Sequence, residues 1–130
     1  MALRAIRGAT QLDVDERKHL LERVTELVGT VLQRNQLSAG DVVSIVFTAT
    51  HDLRSEFPAY AARSLGIGDV PLLCAQELDV QGAMPRVVRL LAHVDTPLTP
   101  GQIHHVYLHG ARNLRMDLSP DDGPRDGAPL

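Results

Sequence analysis

The chain has 130 residues and a formal net charge of −3. This length fits one domain with its own apolar core, which needs neither a disulfide nor a metal to fold. The net negative charge argues against nucleic acid or an anionic membrane as a partner, and no apolar stretch approaches the ~20 residues needed to cross a bilayer.

The single cysteine, Cys74, cannot form a disulfide within the chain, which fits a reducing compartment. The first residues show no secretory signal pattern. We therefore expect a soluble protein of the cytoplasm.

The first part of the chain predicts a strand followed by a long helix. Residues 3–9 alternate between two sides, with Arg7 facing away from Arg4. Asp13 and Glu16 have the spacing of a capping box, and the apolar residues that follow recur every three or four positions. We expect this helix to span residues 14–35 and to serve only as scaffold.

Two further strands and a short helix follow. Residues 42–49 are β-branched and apolar enough for a central strand. Pro58 suits the first position of a helix that runs to residue 65 and ends at Gly66. Residues 70–75 predict a short strand, which Pro71 confines to an edge or to its own first residues.

Two pairs of charged or aromatic residues have open interpretations. Tyr60 and Arg63 share a face of the short helix, where they form either a carboxylate clamp or a solvated surface pair. Glu77 follows the edge strand, either as an ordinary loop charge or as the counter-charge that orients Arg89.

Arg89 lies inside the apolar run 87–94, which predicts a strand covered on both faces. An ionised group costs several kcal/mol to bury without partners, so Arg89 must be paired, reach an edge, or bind an anionic ligand. Strand alternation puts Arg89 on the face opposite Leu90. One face is then core, and the other is a candidate site.

Residues 103–109 predict a last strand with three histidines. His105 and His109 would share a face two strand repeats apart, too far for one ion without a third ligand, so we expect no metal site. The composition of residues 119–130 predicts a flexible tail after one domain at 1–118.

The chain contains no glycine-rich phosphate loop, nucleophile elbow, cysteine pair or catalytic carboxylate pair. What remains is a β-α-β-α-β-β-β pattern with several arginines near strand ends. This set suits a small polyanion and electrostatic stabilisation, and it offers no general base.

Several blocks resemble, in the same order and with nearly ungapped spacing over 3–118, the small monofunctional chorismate mutases of the trimeric α/β class. The blocks are Arg-Ala-Ile-Arg-Gly-Ala-Thr at 4–10, Phe-Pro-Ala at 57–59 with Arg63, Val-Pro-Leu-Leu-Cys-Ala-Gln-Glu at 70–77, Arg-Val-Val-Arg at 86–89, His-Val-Tyr-Leu at 105–108, Leu-Arg at 114–115 and Asp-Leu at 117–118. Each block alone is weak, and the whole set is specific.

The resemblance implies an α+β fold in which a mixed five-stranded sheet packs on one long helix and one short helix. It implies a homotrimer whose sheets form a pseudo-barrel, with active sites between subunits. The implied reaction is the Claisen rearrangement of chorismate to prephenate in Phe and Tyr biosynthesis. A pericyclic step needs no cofactor or proton transfer, only a restrained substrate and stabilised developing charge, which accounts for the missing motifs.

The resemblance also assigns roles position by position. It makes Arg89 the principal electrostatic catalyst, at the ether oxygen and a carboxylate. It puts Glu77 and Cys74 near the ring hydroxyl, with Glu77 favouring the positive ring, and gives Arg7 and Tyr107 the carboxylates. It builds the pocket walls and the cleft edge from Phe57, Ala59, Tyr60, Arg63, Leu72, Leu73, Leu78, Leu114 and Arg115.

Two positions depart from the family pattern: Tyr60 stands where Lys is often seen, and Met116 where Pro is common. Two other functions fit the same residues. One is a trimeric enamine or imine deaminase, which would release ammonia. The other is a non-catalytic regulator that binds an aromatic-pathway anion on the same scaffold.

Overall fold

The structure is a computed structural model that describes residues 1–118, with side chains as far as Leu114. Its strands and helices are β1 (Ala2–Gln11), α1 (Arg17–Arg34), β2 (Val42–Ala49), α2 (Pro58–Ala62), β3 (Leu72–Gln76), β4 (Val87–Thr96) and β5 (Val106–Leu108). This order confirms the predicted α+β pattern. The predicted tail at 119–130 lies outside the described residues, as does the side chain of Arg115.

The five strands form one mixed sheet in the order β3-β2-β4-β1-β5. The long strand β4 is antiparallel to both of its neighbours, β1 and β2. The two short edge strands are parallel to theirs, β5 to β1 and β3 to β2. Pro71 lies directly before β3, so its missing N–H falls at the start of an edge strand, as predicted.

Helix α1 covers one face of the sheet because its apolar residues recur at helical spacing. Leu20, Val24 and Leu27 are fully buried, and they pack with residues such as Phe47 from β2. At Gly8 the sheet and helix approach so closely that a Cβ would lie 3.2 Å from leucine side chains of α1 and β4.

The opposite face of the sheet is open. Along β4, Val88 and Leu90 are buried, whereas Leu91 is 38% exposed and Arg89 is half-buried. The expectation that this strand is covered on both faces is therefore wrong for the single chain. In the residue pairing of the sheet, Leu73 of β3 falls on the same open face, where it is 60% exposed.

The start of α1 differs from the prediction. The helix begins at Arg17, and Glu16 at its N-terminus makes no side-chain capping hydrogen bond. Asp13 does not cap either, because its carboxylate accepts a hydrogen bond from Arg23 Nη2 at 2.9 Å. The short helix matches better: α2 begins at Pro58, continues as a 3₁₀ turn, and ends at Gly66 with φ +78°.

The last strand is shorter than predicted, Val106–Leu108 instead of 103–109. The backbone of His104 is bonded to the side chain of Asn35 instead of to the sheet. At the other end, His109 has φ +54° and opens the 3₁₀ helix His109–Leu118. Within the described part of the chain, no helix is long and apolar enough to cross a membrane.

Candidate active site

Arg89 and Glu77 form an ion pair on the open face of the sheet. The strand β4 presents Arg89 beside Thr48 of β2, its partner in the residue pairing. Glu77 directly follows β3, where its backbone N–H donates to Ala49 O at 3.0 Å. The sheet register thus brings Arg89 and Glu77 together, although 12 positions separate them in the chain.

The geometry of the pair fixes the guanidinium. Arg89 Nε lies 3.1 Å from both Glu77 Oε1 and Oε2, and Thr48 Oγ1 donates to Oε2 at 2.9 Å. Both side chains are mostly screened from solvent, 28% exposed for Arg89 and 14% for Glu77. Of the two interpretations of Glu77, the structure supports the counter-charge that orients Arg89.

Arg7 and Tyr107 also lie on the open face of the sheet, close to Arg89. They line, with Arg89, a cavity of about 270 Å³ on the open face. Tyr107 reaches it because β5 pairs with β1 at Ala9, which pairs in turn with Arg89 of β4. Two arginines and a tyrosine thus lie at one cavity, and residues of these types can bind carboxylates.

Cys74 and Phe57 line a different cavity, of about 680 Å³. Cys74 pairs with Phe47 in the parallel β2–β3 register, so its side chain shares the helix-covered face with that core residue. Within one chain, β3 and β2 therefore separate Cys74 and Phe57 from the cavity that Arg89 lines. The structure does not bring the two halves of the predicted site together.

Tyr60 and Arg63 form part of a surface cluster on α2 and the 3₁₀ turn after it. The Tyr60 ring has the guanidinium carbon of Arg63 5.1 Å from its centroid and that of Arg17 at 5.4 Å. Arg17 also donates from Nε to Glu56 at 2.8 Å. Hydrogen bonds from the Phe57 N–H and from Arg17 lower the pKa of Glu56. Sequence reasoning missed these contacts of Arg17, because they depend on how α1 and α2 pack.

The remaining predicted wall residues lie in several environments. Ala59 and Leu72 pack partly buried against the core, and Leu78, directly after Glu77, is 88% exposed. Leu73 belongs to the open face, and Leu114 is half-buried in the C-terminal 3₁₀ helix.

The histidines of the last strand are held separately. His105 Nδ1 accepts a hydrogen bond from the backbone N–H of Arg7 at 3.0 Å, and His109 Nε2 lies 2.7 Å from Glu26 Oε1. Among the residues that the structure describes, no group of three or more His, Cys, Asp or Glu side chains could hold a metal ion. The His105 contact with Arg7 is absent from the sequence-based site.

The sequence of the chain matches that of a known protein family. A model of the family "Chorismate mutase type I" matches residues 3–118. The chain belongs to this family. The predicted function, chorismate mutase, and its class, isomerase, follow from that membership.

Named relatives resemble this chorismate mutase over most of its length. "Chorismate mutase AroH" of Bacillus subtilis is 39% identical over 120 residues, which cover 92% of this chain and 94% of the relative. The protein of the same name from Thermus thermophilus is 41% identical over 117 residues, covering 89% and 96%. A solved chorismate mutase from Clostridium thermocellum matches with a TM-score of 0.84 and 38% identity, over 85% of this chain and 99% of its own. The fold is therefore that of a solved chorismate mutase.

Proposed function

We propose that this chorismate mutase converts chorismate to prephenate on the open face of its sheet, with Arg89 as the principal electrostatic catalyst. The observation that carries the proposal is the fixed Arg89 guanidinium, held by Glu77 and placed with Arg7 and Tyr107 around one cavity. We also infer that residues 1–118 act as one domain and that the enzyme works in the cytoplasm, in Phe and Tyr biosynthesis.

The rearrangement breaks the ether C–O bond and forms a C–C bond within one molecule, so no proton is transferred. Negative charge develops on the ether oxygen, and positive charge develops on the ring. Arg89 donates to the ether oxygen and to a carboxylate, while Arg7 and Tyr107 bind carboxylates and hold the substrate compact. Glu77 orients Arg89 and its negative charge favours the ring cation. Because donors of this kind are already in position, they do not have to reorient as charge develops.

The test is the decay of chorismate absorbance with purified protein, compared with the Arg89→Ala variant. Losing one preorganised donor to developing charge costs on the order of 10²–10³ in kcat, so we expect at least that loss. Arg34→Ala is the matched control, because Arg34 is an exposed arginine at the end of α1. Near-full activity of Arg89→Ala, with the protein folded, would refute the assigned role.

We infer that the functional unit is a homotrimer whose sites lie between subunits. The cavity at Arg89 has about 270 Å³, slightly below the roughly 300–1,000 Å³ typical of ligand pockets. The open face also exposes apolar side chains, among them Leu3 at 62% and Leu73 at 60%. A second copy on this face would bury them and bring its own Phe57 and Cys74 towards Arg89.

Mixing two inactive variants tests this shared site. Arg89→Ala removes the sheet half. Phe57→Asp disables the other half by placing a negative charge opposite an anionic substrate. This variant should fold, because Phe57 is 70% exposed and lies at the N-cap of α2, where Asp is favoured.

After the two variants are unfolded and refolded together, hybrid trimers contain some sites with both halves intact. We expect activity well above that of either variant refolded alone, and a mass of three chains by light scattering. A monomeric mass, or no recovery of activity in mixtures shown to exchange subunits, would refute the shared site.

A further inference from the structure

We propose that His105 is a positioning residue for Arg7: its imidazole fixes the backbone of β1 at Arg7, and the buried Asn35 fixes His105. This inference rests on the proposed role of Arg7 as a carboxylate binder. It concerns two residues, His105 and Asn35, that have no direct part in the proposed mechanism.

The first step is the bond between Arg7 and His105. The β1–β5 pairing begins at Gly8 with Val106. One residue earlier on each strand, the backbone N–H of Arg7 donates to His105 Nδ1 at 3.0 Å. At Arg7, the imidazole of His105 thus takes the place of a backbone carbonyl of the neighbouring strand as hydrogen-bond acceptor.

This bond fixes the protonation of the ring. A backbone N–H can only donate, so Nδ1 must be the nitrogen without hydrogen. The imidazole is then neutral, with its hydrogen on Nε2. A ring protonated on both nitrogens could not accept this bond.

The second step is the attachment of His105 to helix α1. Asn35 is 1% exposed at the C-terminal end of α1. Its Nδ2 donates to His104 O at 2.9 Å, and its Oδ1 accepts from His104 N at 2.7 Å. A third bond, from Nδ2 to Val31 O at 2.9 Å, fixes the amide itself. Both backbone polar groups of His104 are therefore held, and the next residue, His105, has a defined place.

The two steps link the core to the substrate-binding groups. The segment anchored by Asn35 contacts Arg7 through His105 and continues two residues later into Tyr107. One short stretch thus sets the positions of both proposed carboxylate binders. Because a carboxylate is bound in the substrate as well as in the transition state, misplacing Arg7 should raise KM more than it lowers kcat.

The experiment compares His105→Leu with His105→Asn. The two replacements have nearly the same shape, but Asn has an oxygen close to the position of Nδ1, whereas Leu has no acceptor. The bond is partly buried, and a loss of about 1–2 kcal/mol corresponds to a factor of about 5–30. We expect His105→Leu to raise KM for chorismate roughly 5- to 30-fold with a smaller change in kcat, and Asn to restore most of the loss.

Two further variants make the comparison decisive. His104→Leu makes the same chemical change at the neighbouring, exposed imidazole, and should leave KM and kcat unchanged. His105→Gln carries its amide at the position of Nε2 instead of Nδ1, so it should behave like His105→Leu, and it replaces that variant if Leu fails to fold.

The outcomes separate this inference from the proposed function. If Arg7→Ala raises KM but His105→Leu, or His105→Gln in its place, has the same KM as His105→Asn, the positioning role is wrong while the role of Arg7 stands. If Arg7→Ala leaves both KM and kcat unchanged, the proposed site is wrong and the inference falls with it. The positioning role is also overturned if KM among the variants correlates with their thermal unfolding midpoints, and not with the presence of an acceptor at the position of Nδ1.

Discussion

Replacing Glu77 by Gln should lower kcat, although the rearrangement transfers no proton and Glu77 is therefore not needed as an acid or base. Glu77 accepts from Arg89 Nε through both carboxylate oxygens at 3.1 Å, and from Thr48 Oγ1 at 2.9 Å. The amide of Gln retains one of these oxygens and loses the charge. Hydrogen bonds to charged groups are worth about 1.5–3 kcal/mol, and each 1.4 kcal/mol is a factor of about ten.

Because the side chains of Arg89 and Glu77 are only 28% and 14% exposed, little of this energy is lost to solvent screening. We therefore expect kcat to fall about 10- to 150-fold, with a smaller change in KM, since Arg89 acts on charge that develops only in the transition state. This pattern is the opposite of that expected for His105→Leu.

The assay is steady-state decay of chorismate for wild type, Glu77→Gln, and Glu22→Gln as a control at an exposed position of α1. Thr48→Val removes only the hydroxyl bond to Glu77, so its effect should be smaller than that of Glu77→Gln and in the same direction. A folded Glu77→Gln enzyme with kcat within about threefold of wild type would refute the argument that Glu77 orients Arg89.

Three other substitutions test the fold. Gly8→Ala should destabilise the protein by about 1–3 kcal/mol in urea unfolding, because its Cβ would lie 3.2 Å from two leucine side chains. Asn35→Leu should cost about 1–3 kcal/mol in the same measurement by leaving the backbone of His104 without its partners; equal stability would contradict the anchoring role. Burial favours a raised pKa for Asp15, but hydrogen bonds from Ser55 and Arg54 outweigh it and lower the pKa below 3.8. The stability that Asp15 contributes is thus fully present above pH 3.8 and lost as pH falls through its folded pKa, and Asp15→Asn should weaken this acid dependence.

The elements of the fold were predictable where the signal is local. Pro58 at the start of α2 and Gly66 with φ +78° after it act through their own backbone preferences. The errors arose where a distant residue decides the local structure. Asp13 bonds Arg23 instead of capping α1, and His104 bonds Asn35 instead of extending β5. The spacing of residues within one segment does not reveal hydrogen-bond partners that are distant in the chain.

The site was predictable from the strands that carry it, but only in part. Arg89 and Glu77 could be placed at one end of the sheet because each belongs to, or directly follows, a predicted strand. Their contact with Thr48, and the bond from Arg7 to His105, depend on the register between strands distant in sequence. The same register puts Cys74 on the helix-covered face, which alternation along β3 alone does not determine.

The wrong expectation about β4 bears directly on the proposed homotrimer. The run 87–94 is apolar on both sides, a pattern typical of strands covered on both faces, yet the single chain covers only one. Leu91 is left 38% exposed on the same face as Arg89. A second copy over this face would account for the pattern, since it would bury Leu91 and exclude water around Arg89. The Arg89 charge, paired with Glu77 in the single chain, would then lie at a boundary between subunits, where an anionic substrate would add a second counter-charge. Mixing the Arg89→Ala and Phe57→Asp chains tests both parts of this explanation: that a second copy covers the open face, and that the substrate binds between the two copies.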